Sequence, residues 1–234
     1  TEVTLTAGDI ASLTNTSGDA ALNGGTVTGA TTVAAGTVTN AGAAIATATT
    51  SGGTYTQSGG SATDLVNDSG TVNLDAGTAT SLTNNATAGT STVTDGQVTG
   101  TTTIDGGTVV VNQTTADADL ELVGDTTLND GTLTITDGEV GAVINQGTSG
   151  GATEVTLTAG DIASLTNTSG DAALNGGTVT GATTVADGTV TNAGAAITTA
   201  ATSGTGTYTQ SGGSSTDVTN NGGTVNIDAG TTHS

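Results

Sequence analysis

The feature that most constrains this chain is that it repeats itself at two length scales. Residues 1–34 recur without change as residues 153–186, and the copy continues with few changes to the end of the 234 residues. The chain therefore divides into one full unit, residues 1–152, and a partial second copy, residues 153–234. Tandem units of this kind are typical of stacked arrays, and we expect the chain to be a segment of a longer one.

A shorter repeat lies inside the long unit, with the pattern G-x-[A/V/I]-x-x-[L/V]-x-N and weaker copies between the clear ones. The glycines that begin these copies are Gly8, Gly25, Gly42, Gly60, Gly77, Gly96, Gly138 and Gly160. Their spacings run from about 17 to about 22 residues, except for a double interval between Gly96 and Gly138. That interval fits two copies, with a degenerate start near Asp117, so the 152-residue unit holds about eight copies.

Each short copy contains apolar or threonine residues two positions apart, such as Val72 and Leu74, which is the spacing of a strand with one buried side. Glycines fall where the chain must turn. A single copy cannot bury its own apolar face, but stacked copies bury a continuous narrow core. The sequence therefore predicts an all-β parallel β-helix of about 12 coils and about 55–60 Å in length, with no independent globular domain.

The composition agrees with a narrow core and excludes several functions. Aromatic residues make up 1% of the chain, and there is no Lys or Arg against 21 Asp and Glu, which gives a net charge of -21. Such a chain cannot neutralise the phosphates of a nucleic acid, and an anionic membrane surface repels it. No apolar run approaches the roughly 20 residues of a membrane-spanning helix, so we expect no membrane insertion.

Five asparagines share one place in the short repeat. They are Asn15, Asn67, Asn84, Asn145 and Asn167. In a stacked solenoid, equivalent side chains lie above one another, so these amides are able to form a ladder. Asparagine also tolerates the left-handed backbone of tight turns. We interpret the five as a structural ladder at a turn, with a ligand-binding role as the alternative.

The densest acidic stretch, residues 116–122, alternates Asp117, Asp119 and Glu121 with apolar residues. On a strand these carboxylates share one face, and three oxygen ligands in a flexible arrangement suit Ca²⁺. Calcium is the only cofactor that the sequence suggests. The competing interpretation is a solvated strand face, with Leu120 and Leu122 pointing inward.

The sequence offers little that points to catalysis. Its other carboxylates are scattered along the chain, and no aromatic platform is present on which a sugar would stack. His233 lies at the fragment end without a Ser or Asp constellation near it in sequence, and Tyr55 falls at an inward position of its coil. We therefore expect no enzymatic activity.

Threonine pairs with the pattern T-x-T suggest another function. The pairs are Thr4/Thr6, Thr26/Thr28, Thr37/Thr39, Thr54/Thr56, Thr132/Thr134 and Thr156/Thr158. On stacked strands they would form a flat array of hydroxyl and methyl groups, which resembles the ice-binding face of solenoid antifreeze proteins. Those proteins place T-x-T at the same position in every coil, whereas in this sequence the pair drifts between the halves of the coil.

The segment GGSATDLVNDSGTVNLDAGTATSLTN, residues 59–84, carries a family likeness. It resembles the repeats of AIDA-type autotransporter passengers and related haemagglutinin-like bacterial adhesins, which alternate a G-G-x-A-T-x-x-x-N half with a G-x-x-x-V half. The resemblance implies a right-handed β-helical stalk that is exported and is either exposed at the cell surface or released.

The leading hypothesis from the sequence is an extracellular structural role as a stalk or filament of a surface, biofilm or sheath layer, either secreted or at the cell surface. Its expected partner is itself, through end-to-end or lateral self-association or through further repeats of the same chain. The high negative charge keeps such rods apart in solution. Ice binding through T-x-T faces and Ca²⁺ cross-linking of an acidic surface layer are the alternative functions.

Overall fold

Inward apolar or threonine residues alternate with outward polar ones, and this alternation puts most of the chain into short strands. The computed structural model describes residues 2–85, 89–115, 120–147 and 153–233. These residues are all-β, and their parallel strands stack as a β-solenoid of about 12 turns. The predicted fold class is confirmed. Within the described ranges, no helix is long and apolar enough to cross a membrane.

Each coil carries three strand segments, which we call faces 1, 2 and 3. In the first coil, face 1 is Asp9–Ile10, face 2 is Leu13–Asn15 and face 3 is Asp19–Leu22. Faces 1 and 2 merge into one strand in other coils, as in Thr26–Val33, where the register against the next coil shifts midway. Face 3 is a separate strand in most coils, and it is set off from its neighbours by corners.

The strand bounds are as follows. They are β1 (Val3–Leu5), β2 (Asp9–Ile10), β3 (Leu13–Asn15), β4 (Asp19–Leu22), β5 (Thr26–Val33), β6 (Thr37–Asn40), β7 (Ala44–Asn84), β8 (Thr90–Val93), β9 (Gln97–Val98), β10 (Thr102–Ile104), β11 (Thr108–Asn112), β12 (Thr126–Leu128), β13 (Thr132–Asp137), β14 (Glu139–Gln146), β15 (Thr153–Leu157), β16 (Asp161–Ser169), β17 (Asp171–Leu174), β18 (Thr178–Val185), β19 (Thr189–Asn192), β20 (Ala196–Thr202), β21 (Thr207–Gln210), β22 (Ser214–Asn220), β23 (Thr224–Ile227) and β24 (Thr231–Thr232).

Paired residues on neighbouring coils show how long each coil is. Val3 pairs with Ala20 in a coil at the short extreme. Thr108 pairs with Thr132, 24 positions further along the chain, in one of the longest coils. The longest coil therefore exceeds the predicted range of about 17–22 residues. Extended strands keep the same spacing on the faces, so the extra residues lie at corners.

The longest coil opens at Gly96, and the degenerate coil, whose start was predicted near Asp117, follows it. Its face 1 position is Leu122, which bridges Val98 of the coil before and Val140 of the coil after. In the short repeat the opening residue stands two places before this position, so the coil opens at Leu120, three residues after the predicted position near Asp117. The interval between Gly96 and Gly138 still holds two coils.

The core consists of inward columns of small side chains that run along the solenoid axis. On face 3, Val38 pairs with Tyr55, and both are fully buried. Tyr55 and its counterpart Tyr208 have the largest of the fully buried side chains. The predicted inward position of Tyr55 is therefore confirmed. Leu, Val, Ile and Ala fill most other positions, and few bulky residues fit because each coil sits only about 4.8 Å from the next.

The second copy continues the column of the first without interruption. Strand β15, the first of the second copy, pairs on face 3 with β13 of the first copy. On faces 1 and 2, β16 pairs with β14 over most of its length. The tandem copies therefore lengthen one solenoid and do not form two separate bodies.

Glycines occupy the corners, where the backbones of successive coils stack directly. Six predicted turn glycines have the left-handed backbone: Gly8, Gly25, Gly60, Gly77, Gly138 and Gly160. A second set, at the corner between faces 2 and 3, includes Gly18, Gly36, Gly170 and Gly188. The corners before face 1 and between faces 2 and 3 are therefore built on a conformation that glycine adopts at little cost.

Two of the predicted turn glycines, Gly42 and Gly96, do not have the left-handed backbone. In the first case Ala43 takes the stacking position, and the Asn40 side chain holds the turn by accepting the Ala43 N–H at 2.8 Å. Gly96 packs directly over a core side chain, since a Cβ there would lie 2.5 Å from Cγ of Leu74. It is needed for close approach and not for turn conformation.

The duplicated sequence supplies a matched test of this corner packing. Gly8 and Gly160 are equivalent and have φ of +85° and +83°, but a Cβ at Gly160 would overlap the carbonyl oxygen of Gly138, whereas nothing lies within 4 Å at Gly8. We expect Gly8→Ala to cost about 1–2 kcal/mol for the left-handed backbone alone. Gly160→Ala should cost more than about 3 kcal/mol, because the overlapping coil must shift. Urea unfolding of both variants measures this, and equal costs would contradict the packing.

Four threonines are buried in the first inward column of face 2, and their hydroxyls have no hydrogen-bond partner within the described residues. They are Thr31, Thr102, Thr126 and Thr183. A buried hydroxyl without a partner loses its hydration and gains nothing in return. These positions are therefore weak points of the core.

We expect Thr102→Val to stabilise the protein by about 1 kcal/mol, because valine has the same shape and lacks the unpaired hydroxyl. Thr103→Val is the control, since Thr103 points outward in the same strand and is half-buried. It should change the free energy of unfolding by less than about 0.5 kcal/mol. Urea unfolding measures both variants, and a destabilised Thr102→Val would show that its hydroxyl is satisfied.

Candidate functional site

The calcium site predicted at Asp117, Asp119 and Glu121 is not assembled by the residues that the structure describes. Asp117 and Asp119 lie outside the described ranges. Glu121 was expected on a solvated strand face with Leu120 and Leu122 inward, but it is only 3% exposed. Leu122 is buried as expected, and Leu120 is half-buried.

Glu121 is buried because its carboxylate folds back onto the backbone of the next coil. Its Oε2 accepts the backbone N–H of Glu139 at 2.6 Å and lies against Gly138, where a Cβ would meet it at 2.6 Å. Glu139 in turn pairs with Asp161 of the following coil. Within the described ranges, however, no group of three His, Cys, Asp or Glu side chains is arranged to hold a metal ion.

A second buried carboxylate, Glu154, was not recognised from the sequence. It is 7% exposed, and its Oε2 accepts the backbone N–H of Asp171 in the next coil. The equivalent residue of the first copy, Glu2, is exposed. The pattern shared by Glu121 and Glu154 is a carboxylate next to a corner glycine of the following coil, Gly138 or Gly170. The sequence signal for these buried carboxylates is a glutamate directly before alternating apolar residues, in a chain that has no cation to pair with it.

The five predicted ladder asparagines lie in one inward column at the end of face 2, interrupted by other residues. All five are buried. Asn145 Nδ2 donates to Asn167 Oδ1 at 2.8 Å, a direct amide-to-amide step. Asn15 and Asn67 instead donate to backbone carbonyls of the next coil, Thr37 at 3.1 Å and Thr90 at 3.0 Å. Since no described residue other than glycine has a positive φ, none of them forms a left-handed turn.

A second polar column at the end of face 3 was missed by sequence analysis. Asn40 Nδ2 donates to Oη of Tyr55 at 3.3 Å, and Tyr55 Oη donates to Oε1 of Gln57 at 3.0 Å. Gln57 Nε2 then donates to the carbonyl of Thr78 at 2.8 Å. The second copy repeats this network around Tyr208. All of these side chains are fully buried, so each network ties neighbouring coils together through satisfied polar groups.

Outward carboxylates are bonded to the next coil by uncharged donors. Asp64 accepts from the Ser81 hydroxyl at 2.7 Å, and Asp68 accepts from Nδ2 of Asn85 at 2.8 Å. Each bond joins residues 17 positions apart, which is one coil. A column of carboxylates would repel itself, and an alternating donor removes that repulsion.

Two of these carboxylates have a lowered pKa. The Thr114 hydroxyl at 2.6 Å, with the backbone N–H groups of Thr115 and Thr114, holds the pKa of Asp95 well below its usual range. The Thr205 hydroxyl, with the backbone N–H of Gly188, also lowers the pKa of Asp187. Their oxygens are occupied by donors of the protein and do not call for a cation.

The threonine pairs are far better aligned than the sequence suggested. On face 3, Thr37 and Thr39 pair with Thr54 and Thr56. Further along, Thr90 and Thr92 of β8 stack beside β11, which pairs with the T-x-T of β13. The expected drift is therefore wrong for these pairs. It holds for Thr26/Thr28, which lie on face 1, and for Thr4/Thr6 and Thr156/Thr158, of which only the first residue pairs on face 3.

We call the aligned block the threonine strip. It comprises Thr37, Thr39, Thr54, Thr56, Thr71, Asn73, Thr90, Thr92, Thr108, Val110, Thr132 and Thr134. All twelve are outward and half-buried, and none carries a charge. The strip forms two columns over six consecutive coils. Asn73 Nδ2 donates to Oγ1 of Thr56 at 3.3 Å, which links the coils inside β7.

The described residues line several small surface hollows. One of about 260 Å³ is lined by Gly77, Thr78, Asp95, Gly96, Gln97, Leu120 and Glu121. Its two carboxylates both accept hydrogen bonds from the protein itself. His233 is exposed at the last coil.

The buried phenol of Tyr55 should make the stability of the protein depend on pH. Burial raises the pKa of Tyr55, and the Asn40 hydrogen bond opposes this only in part. The unfolded chain releases the phenol proton near pH 10 while the folded chain retains it, so the stability from this group is present below about pH 10 and is lost as the pH rises further.

We therefore expect the free energy of unfolding of the native protein to fall more steeply above about pH 10 than that of Tyr55→Phe, which cannot ionise at this site. Below about pH 9 the difference between the two proteins should stay constant, near the 1 kcal/mol expected for the lost hydrogen bonds. Urea unfolding at a series of pH values measures both. Parallel curves through pH 11 would contradict the burial of the phenol.

Comparison with known proteins returned no matching family model, curated protein or solved structure.

Proposed function

We propose that this chain is a non-catalytic structural β-solenoid, a stalk or filament-forming segment of a long tandem-repeat protein that is secreted or held at a cell surface. The observation that carries the proposal is that strands of the second copy pair with strands of the first as the next coil of the same solenoid. Added repeats extend the same column, and repetition therefore increases reach. The likeness of residues 59–84 to autotransporter and haemagglutinin-like stalks agrees with this role.

The way in which successive coils are joined suits a load-bearing rod. Between β16 and β18 five residues pair, and between β17 and β19 four more pair, all within one coil step. Parallel backbone bonds run along the axis, so a pull on the rod is shared by all the bonds of each step. The buried amide and phenol networks add side-chain bonds in the same direction.

The composition supports a location outside the cell for such a rod. The chain has no Lys or Arg, and it therefore offers no site to trypsin-like proteases. It also has no Cys or Met, the residues most readily oxidised. With a net charge of -21, separate rods repel each other at low salt, which favours solubility of long arrays. Self-association through further repeats is the partner that fits this proposal.

Calcium cross-linking of acidic rods stays a prediction from the sequence. Four described carboxylates accept hydrogen bonds from hydroxyl, amide or backbone N–H groups, and they are those of Asp64, Asp68, Asp95 and Glu121. None of these bonds points to a metal. Ice binding, in contrast, is favoured by a specific observation, the threonine strip.

The rod proposal is tested by adding one more 152-residue unit to this chain. Eight further coils of about 4.8 Å should lengthen the rod by about 38 Å and leave its cross-section unchanged. Small-angle X-ray scattering gives the maximum dimension and the cross-sectional radius, and negative-stain images of the native protein show whether it is a thin rod. A compact particle, or a wider cross-section at the same length, would overturn the proposal.

A further inference from the structure

We propose that the threonine strip on face 3 is an ice-binding surface. This activity goes beyond the mechanical role and does not require it, because it depends on one face of the solenoid and not on its length. The ligand is the crystalline water surface. Three properties of the strip support this proposal: it carries no charge, its residues are regularly spaced, and most of its hydroxyl groups have no partner among the residues that the structure describes.

Charge is absent from the strip although the protein is strongly acidic. The chain has 21 Asp and Glu, and none of the twelve strip positions is one of them. The leading column is threonine in six consecutive coils, from Thr37 to Thr132. The equivalent position is Asp19 in the coil before the strip and Asp171 beyond it. Carboxylates orient water around themselves, so their exclusion leaves a surface that does not disrupt an ordered water layer.

The strip repeats at two fixed distances. Along each strand the two columns are about 6.6 Å apart, and along the axis the coils are about 4.8 Å apart. Both are of the size of the oxygen repeats in an ice surface. Over six coils the strip is about 24 Å long. Face 3 keeps one register from Thr37 to Val111, whereas the strands of faces 1 and 2 shift register midway, as between Val27 and Ala30.

Most hydroxyl groups of the strip are free to bind water, and those of Thr56, Thr108 and Thr132 are bonded to other residues of the protein. Among the described residues, those of Thr37, Thr39, Thr54, Thr90, Thr92 and Thr134 make no hydrogen bond within the protein, and each side chain is half-buried. Threonine is stiff about χ1, so its hydroxyl and methyl groups hold their positions. A rigid surface loses little conformational entropy when it binds, which is the condition for recognising a lattice.

Face 2 of the same solenoid provides the control. Thr103 is an outward, half-buried threonine in the coil that follows the one containing Thr90. On face 2, however, it stands in one column of threonines and not in two neighbouring ones. The column beside it contains Asp64 and Asp125. A bulky residue at Thr90 would stand in the middle of the strip, whereas the same residue at Thr103 would leave the strip intact. Tyrosine suits both places because it is favoured in strands.

The test compares the native chain with Thr90→Tyr and Thr103→Tyr by thermal hysteresis and by the shape of a growing ice crystal, with circular dichroism to confirm folding. We expect the native chain and Thr103→Tyr to shape ice into facets and to separate freezing from melting. Thr90→Tyr should lose most of this gap. If Thr90→Tyr fails to fold, Thr134→Tyr at the end of the strip takes its place.

Three results would overturn the proposal. The first is an absence of both hysteresis and facets with the folded native chain at millimolar concentration. The second is an equal loss in Thr90→Tyr and Thr103→Tyr, which would detach the activity from face 3. The third is a native dimer in sedimentation velocity that Thr90→Tyr converts to monomers without any ice activity, which would make the strip an interface between two copies of this chain.

Discussion

The structure depends on the backbone hydrogen bonds that join each coil to the next. They fix the coils about 4.8 Å apart, so paired side chains on the faces lie above one another. Inward positions must then fill a thin column, which Leu, Val, Ile and Ala do and which few larger residues can. At outward positions the same stacking would bring like charges together. Asp64 and Asp68 avoid this, because one coil later they are followed by Ser81 and Asn85, which donate to them.

The absence of cations makes this constraint stricter than in most proteins. A carboxylate in this chain has no Lys or Arg to pair with, so only hydroxyl, amide and N–H groups can satisfy it. Glu121 and Glu154 meet the requirement from inside the solenoid, where each accepts a backbone N–H at the corner of the next coil. The corner glycines Gly138 and Gly170 leave the space for these carboxylates, since a Cβ would collide with them. Corners thus hold both the turns and the buried charges.

The fold could be predicted from the sequence because its two signals are local. Residues two apart, such as Val72 and Leu74, indicate a strand with one buried side, and a glycine at nearly regular intervals indicates a coil. The positions that failed depend on neighbouring coils. Alternation in residues 116–122 fits either orientation of Glu121, and only the glycine in the next coil decides that it turns inward. Ala43 replaces a corner glycine because Asn40, on the preceding strand, holds the turn.

The alignment of the threonine pairs into one strip could not be predicted from the sequence for a related reason. Whether threonines of successive coils align on face 3 depends on which corner of each coil holds the extra residues. Counting from the opening glycine of a coil does not reveal that corner. The two copies differ in this respect: Thr37 pairs with Thr54, whereas its equivalent Thr189 pairs with Thr207, so the coil of the second copy is longer by a single residue. That additional residue is taken up at a corner, and both pairs remain on face 3. Corners absorb changes in coil length, and a flat, evenly spaced face survives them. This separation is what a repetitive rod needs if one of its faces is to recognise an ordered surface.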